Sequence, residues 1–125
     1  MGSDLSLQAM GACSRARPDK LWGSPGALTV CGELDEHWHR GHLRDCEEAR
    51  MSDIAEQVGG KVVFLRLNPH LRGPTMEQRF RLYLQVLQQI LDDPPEPLVS
   101  VVYVCYPQHA HNLATRWPRR MVGGL

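Results

Sequence analysis

Lysine is nearly absent from this chain: of 14 basic side chains only Lys20 and Lys61 are lysine, and the rest are arginine. Net charge is absent too, because 14 acidic residues balance the basic ones. A strongly basic balance would point to a polyanion by itself, and this composition removes that argument. It leaves local phosphate recognition open, since arginine grips phosphate in a bidentate fork. No run approaches the ~20 apolar residues of a membrane-spanning helix. The N-terminal stretch holds no continuous apolar segment of the secretory type. The four cysteines, Cys13, Cys31, Cys46 and Cys105, include no C-x-x-C pair. Cys31 and Cys105 sit in apolar runs and read as buried thiols. The expectation is a chain without membrane spans in a reducing intracellular compartment, cytoplasm or nucleus.

What is present is enough for one domain: 125 residues, 42% of them apolar. Residues 1–16 are small, polar and weakly patterned, and read as an N-terminal arm. Residues 19–22 read as a short strand. Gly23-Ser24-Pro25-Gly26 is a turn by composition, and 27–35 continue as a second strand, so the two predict a hairpin. A polar loop over 36–44 follows. Residues 45–58 have helical spacing, with Asp45 as N-cap and Gly59-Gly60 as the stop. Lys61 to Leu67 is almost wholly apolar except for Arg66, as suits a strand buried on both faces. Thr75 predicts the cap of a helix over 76–92, with Phe80, Leu84, Leu87 and Leu91 as its core stripe. The Asp92-Asp93-Pro94-Pro95-Glu96-Pro97 stretch is a stiff linker. Residues 98–106 form another buried strand, and 107–125 read as a loosely ordered tail. Trp117-Pro118-Arg119-Arg120 in that tail reads as a basic end, with nucleic-acid contact as the alternative. The order β-β-α-β-α-β predicts an α/β fold with a mixed sheet of about four strands flanked by helices.

The densest chemistry lies where the second strand ends. Glu33, Asp35 and Glu36 close an apolar run, and His37, His39, His42 and Cys46 follow. Strand interiors disfavour carboxylates, and a divalent cation is a good reason to keep them. Glu33 and Asp35 are two apart and share a strand face. Pairing the two strands can bring Asp19 beside them. Mg²⁺ or Mn²⁺ on three such acids would polarise a phosphodiester and activate a water. The bland alternative is a set of solvated edge acids, and a turn or cap role for Asp19. His37, His39, His42 and Cys46 could instead hold a structural Zn²⁺, although no second cysteine pair supports it. Glu47 and Arg50 can pair along one helix face. Arg66 needs a carboxylate, a phosphate or solvent for its charge, and Glu47 is a natural partner.

These motifs, in this order, resemble the PD-(D/E)XK nucleases, the restriction-endonuclease-like superfamily. Arg17-Pro18-Asp19 matches its "PD" element, and Glu33-Leu34-Asp35 stands in the place of "(D/E)-x-K". The pattern is most similar to the small endonuclease-like proteins of large DNA viruses, protists and algae. There the strand ends E-x-D-E-x-x-H, the helix carries C-E-x-x-R, and the next strand runs F-x-R-x-N-P. In this chain those are Glu33 to His39, Cys46 to Arg50, and Phe64 to Pro69. Trp38-His39 is also similar to the very-short-patch repair endonucleases. The resemblance spans 17–106 and implies a Mg²⁺- or Mn²⁺-dependent endonuclease acting on DNA, with a dimer as one option. It implies metal ligation by Asp19, Glu33 and Asp35 and a catalytic role for His39. Glu36, Glu47, Arg50 and Arg66 become supporting residues. Three departures stand out. Asp35 replaces the lysine, for which His39 or Lys20 could substitute. The first core helix is short or missing. His70 stands where N-P-D would continue. The alternative implied by these departures is an inactive nuclease-like domain that binds nucleic acid or a protein partner.

Overall fold

The computed structural model describes residues 20–24, 26–35, 44–70, 72–108, 110 and 113–124. Their elements are β1 (Lys20–Ser24), β2 (Leu28–Leu34), α1 (Arg44–Val58), β3 (Lys61–Leu67), α2 (Met76–Asp92), β4 (Val99–Val104) and β5 (Arg119–Val122). The strands form one five-stranded sheet in sequence order. β1 runs antiparallel to β2, and every other neighbouring pair is parallel.

The β1–β2 hairpin closes where Gly26 takes a φ of +89° and the Ala27 N–H donates to the Ser24 carbonyl at 3.0 Å. Positive φ at the third position of a turn is the type II signature, which glycine adopts without strain. β3 is the central strand. Val62, Val63, Phe64 and Leu65 are all fully buried, which accounts for an apolar run without alternation. α2 starts with a capping box: the Gln78 N–H donates to Thr75 Oγ1 at 3.1 Å, and the Thr75 N–H to Gln78 Oε1 at 2.9 Å.

Alternation along the strands splits the core in two. Val30, Val63, Leu65, Val102 and Val104 pack under Tyr83, Val86, Leu87 and Ile90 of α2. Cys31, Val62, Phe64, Val101 and Tyr103 pack under Met51 and Ile54 of α1. The helices therefore cover opposite faces. Both crossovers, β2-α1-β3 and β3-α2-β4, step the same way across the sheet, so they have opposite hands. One of them is left-handed, a rare departure from the right-handed rule. The consequence for function is direct. The helices that follow β2 and β3 lie on opposite faces, the kind of divergence at which α/β proteins bind ligands.

Two expectations need correction. The core stripe of α2 is not Phe80, Leu84, Leu87 and Leu91, because Phe80 is 46% exposed and Leu84 58%. The buried set is Arg79, Tyr83, Val86, Leu87 and Ile90. Tyr83 turns the helix this way: its hydroxyl donates to the Leu65 carbonyl at 3.0 Å and its ring meets Trp22. Nor is the chain after residue 106 simply loose. Arg119–Val122 adds a fifth strand beside β4, and Trp117 packs on Phe64 with ring centroids 6.1 Å apart.

Gly32 sits on β2 next to the acid motif, and a Cβ there would collide with the Trp22 ring and the Tyr83 hydroxyl. Gly32→Ala is expected to cost about 1–3 kcal/mol through overpacking. An unchanged urea midpoint would show that these two rings can part without loss.

Candidate functional site

The register pairs Glu33 of β2 with Arg66 of β3, and Arg66 with Tyr103 of β4. All three belong to the α1 face, near the carboxyl ends of their strands. One residue past β2, the Asp35 N–H donates to the Leu67 carbonyl at 2.8 Å. That bond continues the β2–β3 ladder and leaves Asp35 on the same face as Glu33. From above, the first turns of α1 lower Glu47 and Arg50 onto this row.

The result is a nearly dry charge cluster. Arg50 Nη2 is bound to Glu33 Oε2. Arg50 Nε donates to Glu47 Oε2 at 3.0 Å. Arg66 Nη2 donates to Glu47 Oε1 at 3.2 Å and lies 3.4 Å from Asp35 Oδ2. Its Nη1 contacts Met51 Sδ at 3.5 Å. The salt bridge from Arg66 to Glu47 and the Glu47–Arg50 pair along α1 are thus as the sequence predicts. Among the described residues three carboxylates face two guanidiniums, and Glu33 Oε1 and Arg66 Nε are buried with no hydrogen-bond partner.

Sequence reasoning missed Tyr106. Its hydroxyl donates to Asp35 Oδ2 at 2.7 Å, and its ring meets Tyr103 edge-on with centroids 4.8 Å apart. Strict alternation from Tyr103 would send residue 106 to the other face. Cys105 prevents this by adopting a φ of +65°, a conformation that costs a non-glycine residue about 1–3 kcal/mol. Val104 and Cys105 both join the α2 core, and Tyr106 returns to the α1 face. Buried Asn68 helps to hold this bend, donating from Nδ2 to the Cys105 carbonyl at 3.0 Å. The only sequence signal was a tyrosine at the end of an apolar run.

Proton affinities follow the packing. Burial raises the Glu33 carboxyl above the ordinary glutamate value of 4.5, and Arg66 and Arg50 offset only part of that. Burial also pushes Glu47 up, but Arg66 and Arg50 outweigh it and hold its carboxyl below 4.5. The Tyr106 hydroxyl is driven well above 10, mainly by burial. Burial, with Glu33 beside it, lifts the Cys31 thiol to about 12, so Cys31 is inert.

The two glutamates give opposite pH terms. Glu47, with its lowered value, stabilises the fold above pH 4.5, and that contribution is lost as pH falls through its folded value. Glu33, with its raised value, opposes folding once pH rises past 4.5. Glu47→Gln should therefore lose less stability than the parent protein between about pH 7 and about pH 3. Equal losses in paired urea titrations would contradict this.

Of the residues singled out from the sequence, Glu33, Asp35, Glu47, Arg50 and Arg66 are brought together. Asp19, Glu36, His37, His39 and His42 lie outside the described residues, as does the N-terminal arm over 1–16. Asp19 directly precedes Lys20, which pairs with Gly32, the neighbour of Glu33. Cys46 is disulfide-bonded. Among the described residues no helix is long and apolar enough to cross a membrane. No protein family, curated protein or solved structure matches this chain.

Proposed function

We propose that this chain is a metal-dependent endonuclease of the restriction-endonuclease-like type, hydrolysing phosphodiester bonds in DNA. One observation carries the reading. Glu33 and Asp35 share a sheet face near the carboxyl ends of β2 and β3, and among the described residues Glu33 Oε1 is buried without a partner. A carboxylate oxygen desolvated in this way, beside further carboxylates, fits a hard divalent cation.

In this reading Glu33 and Asp35 would hold Mg²⁺ or Mn²⁺, with Asp19 as the further acid. Among the described residues no three His, Cys, Asp or Glu side chains gather as a complete metal site. The ion would supply Lewis-acid polarisation of the phosphate and a water of lowered pKa. The chain's own residues do the positioning. Tyr106 and Arg66 fix Asp35, and Arg50 fixes Glu33. Arg66 also brings a permanent positive charge to Asp35, at the place where the nuclease motif would keep a lysine. His39, which follows β2 in the sequence, is the proposed group for handling the proton of the attacking water.

Cleavage assays test this reading. Purified protein should convert supercoiled or single-stranded DNA to shorter products with Mg²⁺ or Mn²⁺ and do nothing in EDTA. Intact DNA under every metal condition would remove the catalytic claim. A second reading has its own observation: Glu33 and Asp35 are already paired to guanidiniums. A closed cluster of this kind is what an inactive nuclease-like domain that binds nucleic acid or a protein partner would keep as scaffold. That reading predicts metal-independent DNA binding that weakens as salt rises.

A further inference from the structure

On the opposite face of the sheet, at the amino-terminal ends of β4 and β5, lies a cavity of about 540 Å³. That volume is in the range of small-molecule sites. Ser100 and Val102 of β4 form its floor with Arg120 of β5. Arg120 pairs with Val102 and alternates with Val122, which packs on the α2 core, so the three side chains share the α2 face. Ile90 and the end of α2, with Asp92 and Asp93, make the facing wall.

One buried hydroxyl of this cavity has no partner among the described residues, and charged groups of both signs line the space around it, Asp92 also accepting from Gln88 Nε2 at 2.9 Å. Ser100 is 5% exposed, and its Oγ has no hydrogen-bond partner. A buried hydroxyl left in this way calls for a ligand or an ordered water. Arg120 forms no ion pair among the described residues, although it lines the same space. Asp92 and Asp93 sit at the carboxyl terminus of α2, where the peptide dipoles add negative potential and favour a cation. Positive charge stands at one side, negative charge at the other, and Ile90, Val102 and prolines lie between them.

We propose that this cavity binds a small zwitterion of the amino-acid type. The ligand's carboxylate meets Arg120 and accepts a hydrogen bond from Ser100 Oγ. Its ammonium lies toward Asp92 and Asp93, and its apolar body rests on Ile90 and Val102. The site is on the other face and at the other end of the strands from the acid cluster. Its success or failure is therefore separate from the nuclease reading.

Amide NMR of the full chain tests the proposal with three probes: L-leucine, N-acetyl-L-leucine and L-leucinamide. Leucine should shift the amides of Ser100, Val102 and Arg120 saturably. The two derivatives, each lacking one charge, should bind about 10-fold more weakly, as for loss of one charge-assisted contact. Arg120→Gln, an exposed change that the fold tolerates, should weaken leucine by a similar ~10-fold. No saturable shift up to about 10 mM leucine, about tenfold above a millimolar dissociation constant, would overturn the proposal and leave water as the partner of Ser100. Equal binding of all three probes, or no effect of Arg120→Gln, would overturn it as well.

Discussion

Replacing Arg66 by methionine is expected to cost about 3–5 kcal/mol of folding stability, the range for removing one partner from a buried ion network. Methionine keeps much of the volume, so the loss is mainly electrostatic. Arg66 is 5% exposed and answers Glu47 and Asp35 directly. It also favours ionisation of Glu33 and Tyr106. Without it, among the described residues three carboxylates are left with the guanidinium of Arg50 in a space that water scarcely enters. The remedy available to the protein is protonation. The deficit of Arg66→Met should therefore shrink as pH falls toward the carboxylate range, whereas a packing defect would persist. Urea unfolding at neutral and acid pH separates the two. A loss below about 1 kcal/mol at neutral pH, the scale of an exposed pair, would mean that the cluster is solvated.

On the proposed nuclease reading, Glu33→Gln and Asp35→Asn should each reduce metal-dependent DNA cleavage at least ~10²-fold, because each would delete a charge where transition-state charge is balanced. Both changes keep shape, so the fold should survive. Tyr106→Phe should lose less, about 10-fold, because Tyr106 touches Asp35 rather than the proposed ion, and outer contacts of this kind are worth about 10–100-fold. The graded order is the informative result. Full cleavage by Glu33→Gln would place the metal elsewhere. A loss for Tyr106→Phe as large as for Asp35→Asn would mean that the hydroxyl does more than hold its neighbour.

Much of the fold was legible in the sequence because local chemistry and tertiary context agree there. Pro25-Gly26 announces the hairpin, Thr75 the start of α2, and an unbroken apolar run the central strand. The failures are informative. α2 carries two overlapping apolar stripes. The choice between them falls to Tyr83, whose hydroxyl reaches the Leu65 carbonyl and whose ring meets Trp22. No spacing rule contains those contacts. β5 is four residues long and starts with two arginines. An edge strand tolerates such a sequence because one side of it meets solvent. At the site, Glu33 and Asp35 share a face by simple alternation, and Arg66 announces its need for a partner by interrupting an apolar run. Tyr106 could not be placed, because it reaches the cluster only through the positive φ of Cys105. The lysine position of the motif that the sequence resembles also looks different in three dimensions. Asp35 stands in its sequence position, yet Arg66 from the neighbouring strand brings a cation to within 3.4 Å of Asp35 Oδ2.

The central claim is that Glu33 and Asp35 form a divalent-cation site, and titration calorimetry with Mn²⁺ measures this without reference to any substrate. The account predicts saturable binding to the parent protein. It predicts binding at least ~10-fold weaker in Glu33→Gln and Asp35→Asn, the cost of deleting a charged ligand from a hard-cation site. Circular dichroism of the variants should match the parent. Absence of Mn²⁺ binding to the parent, or equal binding by both folded variants, would contradict it.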